Sequence, residues 1–109
     1  MSVAATYAEA LYEAAEAQSA VDQVRTELTE FAGAMAPGTE LREALTSPEI
    51  ETTAKRAAVA DLMEGAHPVS LGFVQVLLDR GRIAEIDDYV ALQRGLPKRK
   101  ESLRWFLNY

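Results

Sequence analysis

Val69-Ser70-Leu71-Gly72-Phe73-Val74-Gln75-Val76-Leu77-Leu78-Asp79-Arg80-Gly81 is the stretch that decides the fold. Leu71, Phe73, Val74, Val76, Leu77 and Leu78 spread around most of the circumference of a helix over about 69–80. A helix with so much apolar surface is the most buried one of its fold or faces two partners. Gly81 follows it as a left-handed C-cap. His67-Pro68 before it is a break and restart, with His67 read as a structural loop residue.

Upstream, Ser47-Pro48-Glu49 reads as a helix start. Ser47 can cap, Pro48 suits the first helical position, and Glu49 favours the positive end of the dipole. That helix is expected to continue through Val59, Leu62 and Met63 and to stop at Gly65. A short helix around Glu40–Leu45 precedes it, with Leu41 and Leu45 four apart. A longer one is expected from Val21 to Ala36, on the spacing of Val24, Leu28, Phe31 and Met35, until Pro37-Gly38 breaks it.

The first helix is expected from Ser2 to about Ala20, in a run rich in Ala, Glu and Leu. Ala4, Ala8, Leu11 and Ala15 form one apolar stripe, and Val3, Tyr7, Ala10 and Ala14 a second beside it. Glu9, Glu13 and Glu16 read as solvated surface. Downstream, a last helix over about 83–93 buries Ile83, Ile86 and Val90, with Gly95 and Pro97 closing it. No alternating strand pattern occurs. The fold class expected is all-α, a compact bundle of six short helices.

The 109 residues suit one domain, and 49% of them are apolar, enough for a core. There is no Cys, which removes disulfides, thiol nucleophiles and thiolate metal sites. His67 is the only histidine, so multi-histidine metal sites are excluded. A net charge of −6 disfavours nucleic acid as a partner. No run approaches the roughly 20 apolar residues of a membrane span, so direct membrane insertion is not expected. The N-terminus lacks the pattern of a secretory signal or transit peptide. The expectation is a soluble, intracellular, bacterial protein. Phosphate loops, metal clusters and dinucleotide fingerprints are missing, so no cofactor, no metal and no catalytic residue is assigned. Function is to be sought in surfaces.

Three segments together resemble the delta subunit family of F-type ATP synthases, whose mitochondrial counterpart is the oligomycin-sensitivity-conferring protein. The first is Thr6-Tyr7-Ala8-Glu9-Ala10-Leu11-Tyr12-Glu13-Ala14-Ala15. The second is Leu45-Thr46-Ser47-Pro48-Glu49-Ile50, followed by Lys55. The third is Phe73-Val74-Gln75-Val76-Leu77-Leu78-Asp79-Arg80-Gly81-Arg82-Ile83, an apolar helix that ends in Gly-Arg-apolar. Each is common alone, and their order and spacing over 1 to about 94 make the combination specific.

The resemblance implies a six-helix N-terminal domain with a stator role and no catalysis. In the family this domain sits at the top of the catalytic head. It binds the amphipathic N-terminal helix of alpha subunits in a groove between its first and fifth helices. A second domain grips the b subunit of the peripheral stalk in the full-length protein. The implied place is cytoplasmic, peripheral to the inner face of the bacterial membrane. The residues expected to meet the partner are Tyr7, Ala10, Leu11, Ala14, Val76 and Leu77. Tyr7 would be an aromatic anchor, and the small Ala10 and Ala14 would let a partner helix approach closely. Arg80 and Arg82 flank a helix C-terminus and read as structural.

The expected division is 1–94 as the delta-type helical domain and 95–109 as a divergent tail. That tail does not resemble the family's linker. It is basic through Lys98, Arg99, Lys100 and Arg104, then aromatic through Trp105, Phe106 and Tyr109. Docking on the domain or a neighbour is the leading expectation for it, with disorder and a membrane or nucleic-acid contact as the alternatives. The rival reading of the whole chain is a small helical adaptor or regulator that dimerises through its first helix. Titration with an alpha-subunit helix and sedimentation of the chain separate the two.

Overall fold

The computed structural model describes residues 3–95. Six α-helices follow one another: α1 Val3–Ala17, α2 Val21–Ala34, α3 Glu40–Thr46, α4 Thr52–Leu62, α5 Pro68–Asp79 and α6 Ile86–Gly95. A 3₁₀ turn, Ile83–Glu85, leads into α6. No strand occurs among the described residues. The all-α bundle expected from the apolar spacing is therefore the observed class. Ser2, the expected start of the first helix, and the tail beyond Gly95 lie outside the described residues.

The helix ends follow from local chemistry. The α1 helix stops earlier than expected because Ser19 adopts a left-handed φ of 54°. The Ala20 N–H then donates to the Ala15 carbonyl at 2.9 Å and the Ser19 N–H to Glu16 at 3.0 Å. This is the Schellman closure, and it brings the buried Ala15 and Ala20 together. Serine is an uncommon residue there, so the stop carries no strong sequence signal. The same closure ends α5, with Gly81 at φ 69° and the Arg82 N–H on the Leu77 carbonyl at 2.8 Å. Pro37-Gly38 turns the chain after α2, Gly38 at φ 86° and the Thr39 N–H on the Ala36 carbonyl at 3.2 Å. That is the type II arrangement, Pro second and Gly third. The Thr39 hydroxyl then accepts the Arg42 N–H at 3.2 Å and caps α3.

One expected start is corrected. Ser47-Pro48-Glu49 does not open α4, which begins at Thr52. The Ser47 hydroxyl accepts the Glu49 N–H at 3.2 Å and holds a local turn. Serine followed by proline suits a turn as well as a helix entrance, because proline presets the same φ in both. Nothing in the dipeptide itself distinguishes the two.

The α5 helix contacts α1, α2, α4 and the 3₁₀ turn. It buries Ser70, Phe73, Val74, Leu77 and Leu78. Each large apolar side chain so placed contributes about 1.5–3 kcal/mol. The apolar circumference of α5 is thus largely used, as its sequence required. Residues of α1 pack chiefly on α6, and those of α2 on α6, α1 and α5. Tyr89 of α6 is fully buried where these elements meet. Its ring stands edge-on to Tyr7 of α1 at 6.1 Å and to Phe73 of α5 at 5.6 Å. Such pairs add roughly 0.5–1.5 kcal/mol beyond burial. Arg42 ties the remaining corner, donating to the Met35 carbonyl at 3.0 Å and the Ala84 carbonyl at 3.3 Å.

Candidate functional site

The α1 helix divides its apolar residues between two directions. Ala8, Leu11, Tyr12 and Ala15 are buried in the bundle. Ala10 and Ala14, four apart, are exposed, and Tyr7 is half-buried on the same stripe. This separation is a consequence of the 3.6-residue repeat, which turns i, i+3 and i+7 to one side. On α5, Val76 is 40% exposed while Leu77 is fully buried. Gly72, one turn before Val76, is also exposed, and beyond its chain neighbours and its own helix backbone no atom lies within 4 Å of the place its Cβ would take.

Leu11 and Leu77 correct the expected set of partner-facing residues. They are 3% and 0% exposed, and both belong to the core cluster. Their positions on α1 and α5 are those turned toward the neighbouring helices. The residues on the outside are Ala10, Ala14 and Val76, with Tyr7 at the margin. Gly72 was not singled out by its sequence. The signal available for it was its four-residue spacing from Val76.

Tyr7 is not a free-standing anchor. Besides its contact with Tyr89, its ring carries the Arg82 guanidinium 5.9 Å above its centre. Arg82 also meets the Glu85 carboxylate at 3.3 Å. The arrangement supports the reading of Arg82 as structural. The Tyr89 hydroxyl, 3.5 Å from Glu85, is held above its ordinary pKa by burial and by the Glu85 charge, with Arg82 opposing. Exposed Glu9 and Glu13 flank the Ala10–Ala14 stripe.

A second polar cluster was not legible in the sequence. His67 caps α5, its Nδ1 accepting the Val69 N–H at 3.1 Å. The His67 N–H donates to the Glu27 carboxylate of α2 at 3.0 Å, and the buried Ser70 hydroxyl donates to it at 2.7 Å. Partial burial pushes the Glu27 carboxyl up. The hydrogen bonds from Ser70, His67 and Gln23 outweigh that and leave it below its ordinary value. Glu27 thus serves as an anion at the N-terminus of α5. Two of its partners, His67 and Ser70, lie forty residues or more away in the chain, beyond the reach of local patterns.

No helix among the described residues is long and apolar enough to cross a membrane. The family model of the ATP synthase delta (OSCP) subunit matches residues 3–102. The chain belongs to this family.

Several delta subunits resemble it over most of its length. That of Synechococcus sp. (strain WH7803) is 36% identical over 101 residues, which is 92% of this chain and 54% of the relative. The delta subunit of Rubrobacter xylanophilus is 35% identical over 88 residues, 81% of this chain and 49% of the relative. The chloroplastic delta subunit of Gracilaria tenuistipitata var. liui is 36% identical over 86 residues, 78% and 46% of the two chains. The delta-family chain therefore spans about half the length of the curated relatives it matches. The resemblance carried by the Thr6–Ala15, Leu45–Ile50 and Phe73–Ile83 segments is in accord with this membership.

Proposed function

We propose that this chain is a non-catalytic stator element of a rotary F-type ATP synthase, and that it binds the N-terminal helix of alpha subunits in a groove between α1 and α5. One observation carries the reading. Two helices in mutual contact both keep small or apolar residues on the outside, Ala10 and Ala14 on α1 and Gly72 and Val76 on α5. Small residues let a partner backbone come close, and apolar ones reward desolvation by an amphipathic helix. Exposed Glu9 and Glu13 beside the stripe favour a partner helix with cations on its flanks. Leu11 and Leu77 support this surface from beneath.

In this reading residues 1–94 are the head-binding unit, and the basic, aromatic 95–109 docks on it or on a neighbour. The link to the b subunit of the peripheral stalk belongs to the full-length protein. The chain works at the cytoplasmic side of the membrane-bound complex, without inserting into the bilayer and without nucleic acid.

The test is calorimetric titration of the chain with a synthetic alpha-subunit N-terminal helix, for the parent and for Ala14→Asp. Saturable one-to-one binding that Ala14→Asp abolishes while the melting temperature holds supports the groove. An inert parent overturns the reading. So does a parent that sediments as a dimer through α1, which returns the chain to the adaptor class.

A further inference from the structure

The α4 helix is the least embedded of the longer elements. Of its own residues only Val59 is fully buried. Ala54, Ala58 and Leu62, four apart, are all exposed and so share its outer face. Leu62 is 52% exposed, the most exposed large apolar side chain among the described residues. It stands on the lip of a cleft of about 390 Å³ between α2 and the end of α4. Buried Phe31 and Met63 and exposed Ala34 supply apolar walls.

Among the described residues the rim of this cleft has one sign of charge. Glu30 and Glu64 line it and are exposed, and neither Lys nor Arg lines it among the described residues. Glu27 also lines it, with its carboxylate engaged by His67 and Ser70. The C-terminal end of α4, at Leu62, adds the negative end of a helix dipole. An apolar hollow under an anionic rim selects both size and charge. A bare aliphatic helix would leave the carboxylates without compensation, and an acidic one would be repelled.

We propose that the α2–α4 cleft is a second docking surface, for an amphipathic helix whose aliphatic stripe is flanked by Lys or Arg. The helix lies along the Ala54–Ala58–Leu62 track and inserts an aliphatic side chain against Phe31 and Met63. Its cations pair with Glu30 and Glu64. This site is independent of the α1–α5 groove and stands whether or not that groove binds an alpha subunit.

Fluorescence anisotropy with a labelled synthetic helix of leucines flanked by lysines tests it on the full chain. Three variants are compared with the parent: Leu62→Ser, the pair Glu30→Lys with Glu64→Lys, and the pair Glu43→Lys with Glu49→Lys. The last pair changes the net charge equally, and neither residue lines the cleft. The expected result is a loss of about tenfold in affinity for the first two and less than about twofold for the third. Ala14→Asp should leave this binding unchanged. Equal losses in both charge-reversed pairs would reduce the effect to attraction by the whole acidic surface and overturn the site. Leu62→Ser binding like the parent would overturn it as well. A parent dimer that Leu62→Ser dissolves would give the cleft to a second copy of the chain, against the proposal.

Discussion

The Glu27 carboxylate accepts the Ser70 hydroxyl hydrogen at 2.7 Å, joining residues 43 apart in sequence and fastening the middle of α2 to the first turn of α5. Ser70 is fully buried, and this bond satisfies its hydroxyl. The same carboxylate takes the His67 N–H, one of the donors that a helix N-terminus leaves open. One side chain thereby completes an end that no local residue could complete alone.

Glu27→Ala is expected to lower stability by about 1–3 kcal/mol, since it strips a charged acceptor from a buried hydroxyl and an N–H. The pH dependence has a definite sign. Folding holds the Glu27 carboxyl below its ordinary value of 4.5, so the native state favours the ionised form. Its contribution is full above that value and is lost as pH falls through the lowered folded value. Urea unfolding across the acid limb should show this slope in the parent, and Glu27→Gln should lack the Glu27 share of it. Identical limbs would show that the carboxylate is not the group being anchored.

Gly81→Val should cost of order 1–2 kcal/mol. Gly81 holds φ at 69°, and no atom lies within 4 Å of the place a Cβ would occupy. The penalty is therefore expected from backbone strain rather than from crowding at the Cβ. A thermal melt checks it, and an unchanged midpoint would mean that the α5 closure relaxes at no cost.

Leu77→Ala and Val76→Ala separate the two sides of α5. Leu77 is fully buried and its truncation leaves a cavity, expected to cost about 2–5 kcal/mol. Val76 is 40% exposed, and its truncation should stay within about 0.5 kcal/mol. If the alpha-subunit helix binds at the α1–α5 surface, Val76→Ala should weaken binding in a chain that melts like the parent. Reversed melting shifts would mean that α5 is rotated about its axis.

Ala14→Asp and Tyr7→Ala differ in what they report. Ala14 is exposed, so the charge should leave the melting temperature unchanged and block a desolvated contact. Tyr7 touches Tyr89 and lies under Arg82, so its removal should lower both stability and binding. Measuring both quantities on the same samples distinguishes them. An unfolded Ala14→Asp would place Ala14 in the core.

The Arg56–Asp79 pair, 2.6 Å apart and bridging α4 to the end of α5, is a case where a short distance promises little. Both side chains are more than a third exposed. Asp79→Asn should change stability by no more than about 1 kcal/mol, as read by denaturant midpoint. A larger loss would show that α4 depends on this pair for its seat.

The chain itself determined the helices and their inward faces. Val24, Leu28, Phe31 and Met35, or Ile83, Ile86 and Val90, recur at helical spacing, and all of them are buried. Gly81 and Pro37-Gly38 also did what their backbone preferences dictate, because φ is a property of the residue itself. Serine has no such single preference. Ser19 closes α1 in a left-handed conformation and Ser47 holds a turn in place of a helix start, each against a local reading. Periodicity assigned α5 an apolar surface all round but could not say which of Val76 and Leu77 faces out. Only the seating of α5 among α1, α2 and α4 chose Leu77 for the core. The Glu27–His67–Ser70 cluster and the acidic cleft beside Leu62 likewise exist only once distant segments meet. Spacing along a chain records the direction of a side chain within its own helix, and the identity of what lies opposite is settled by packing.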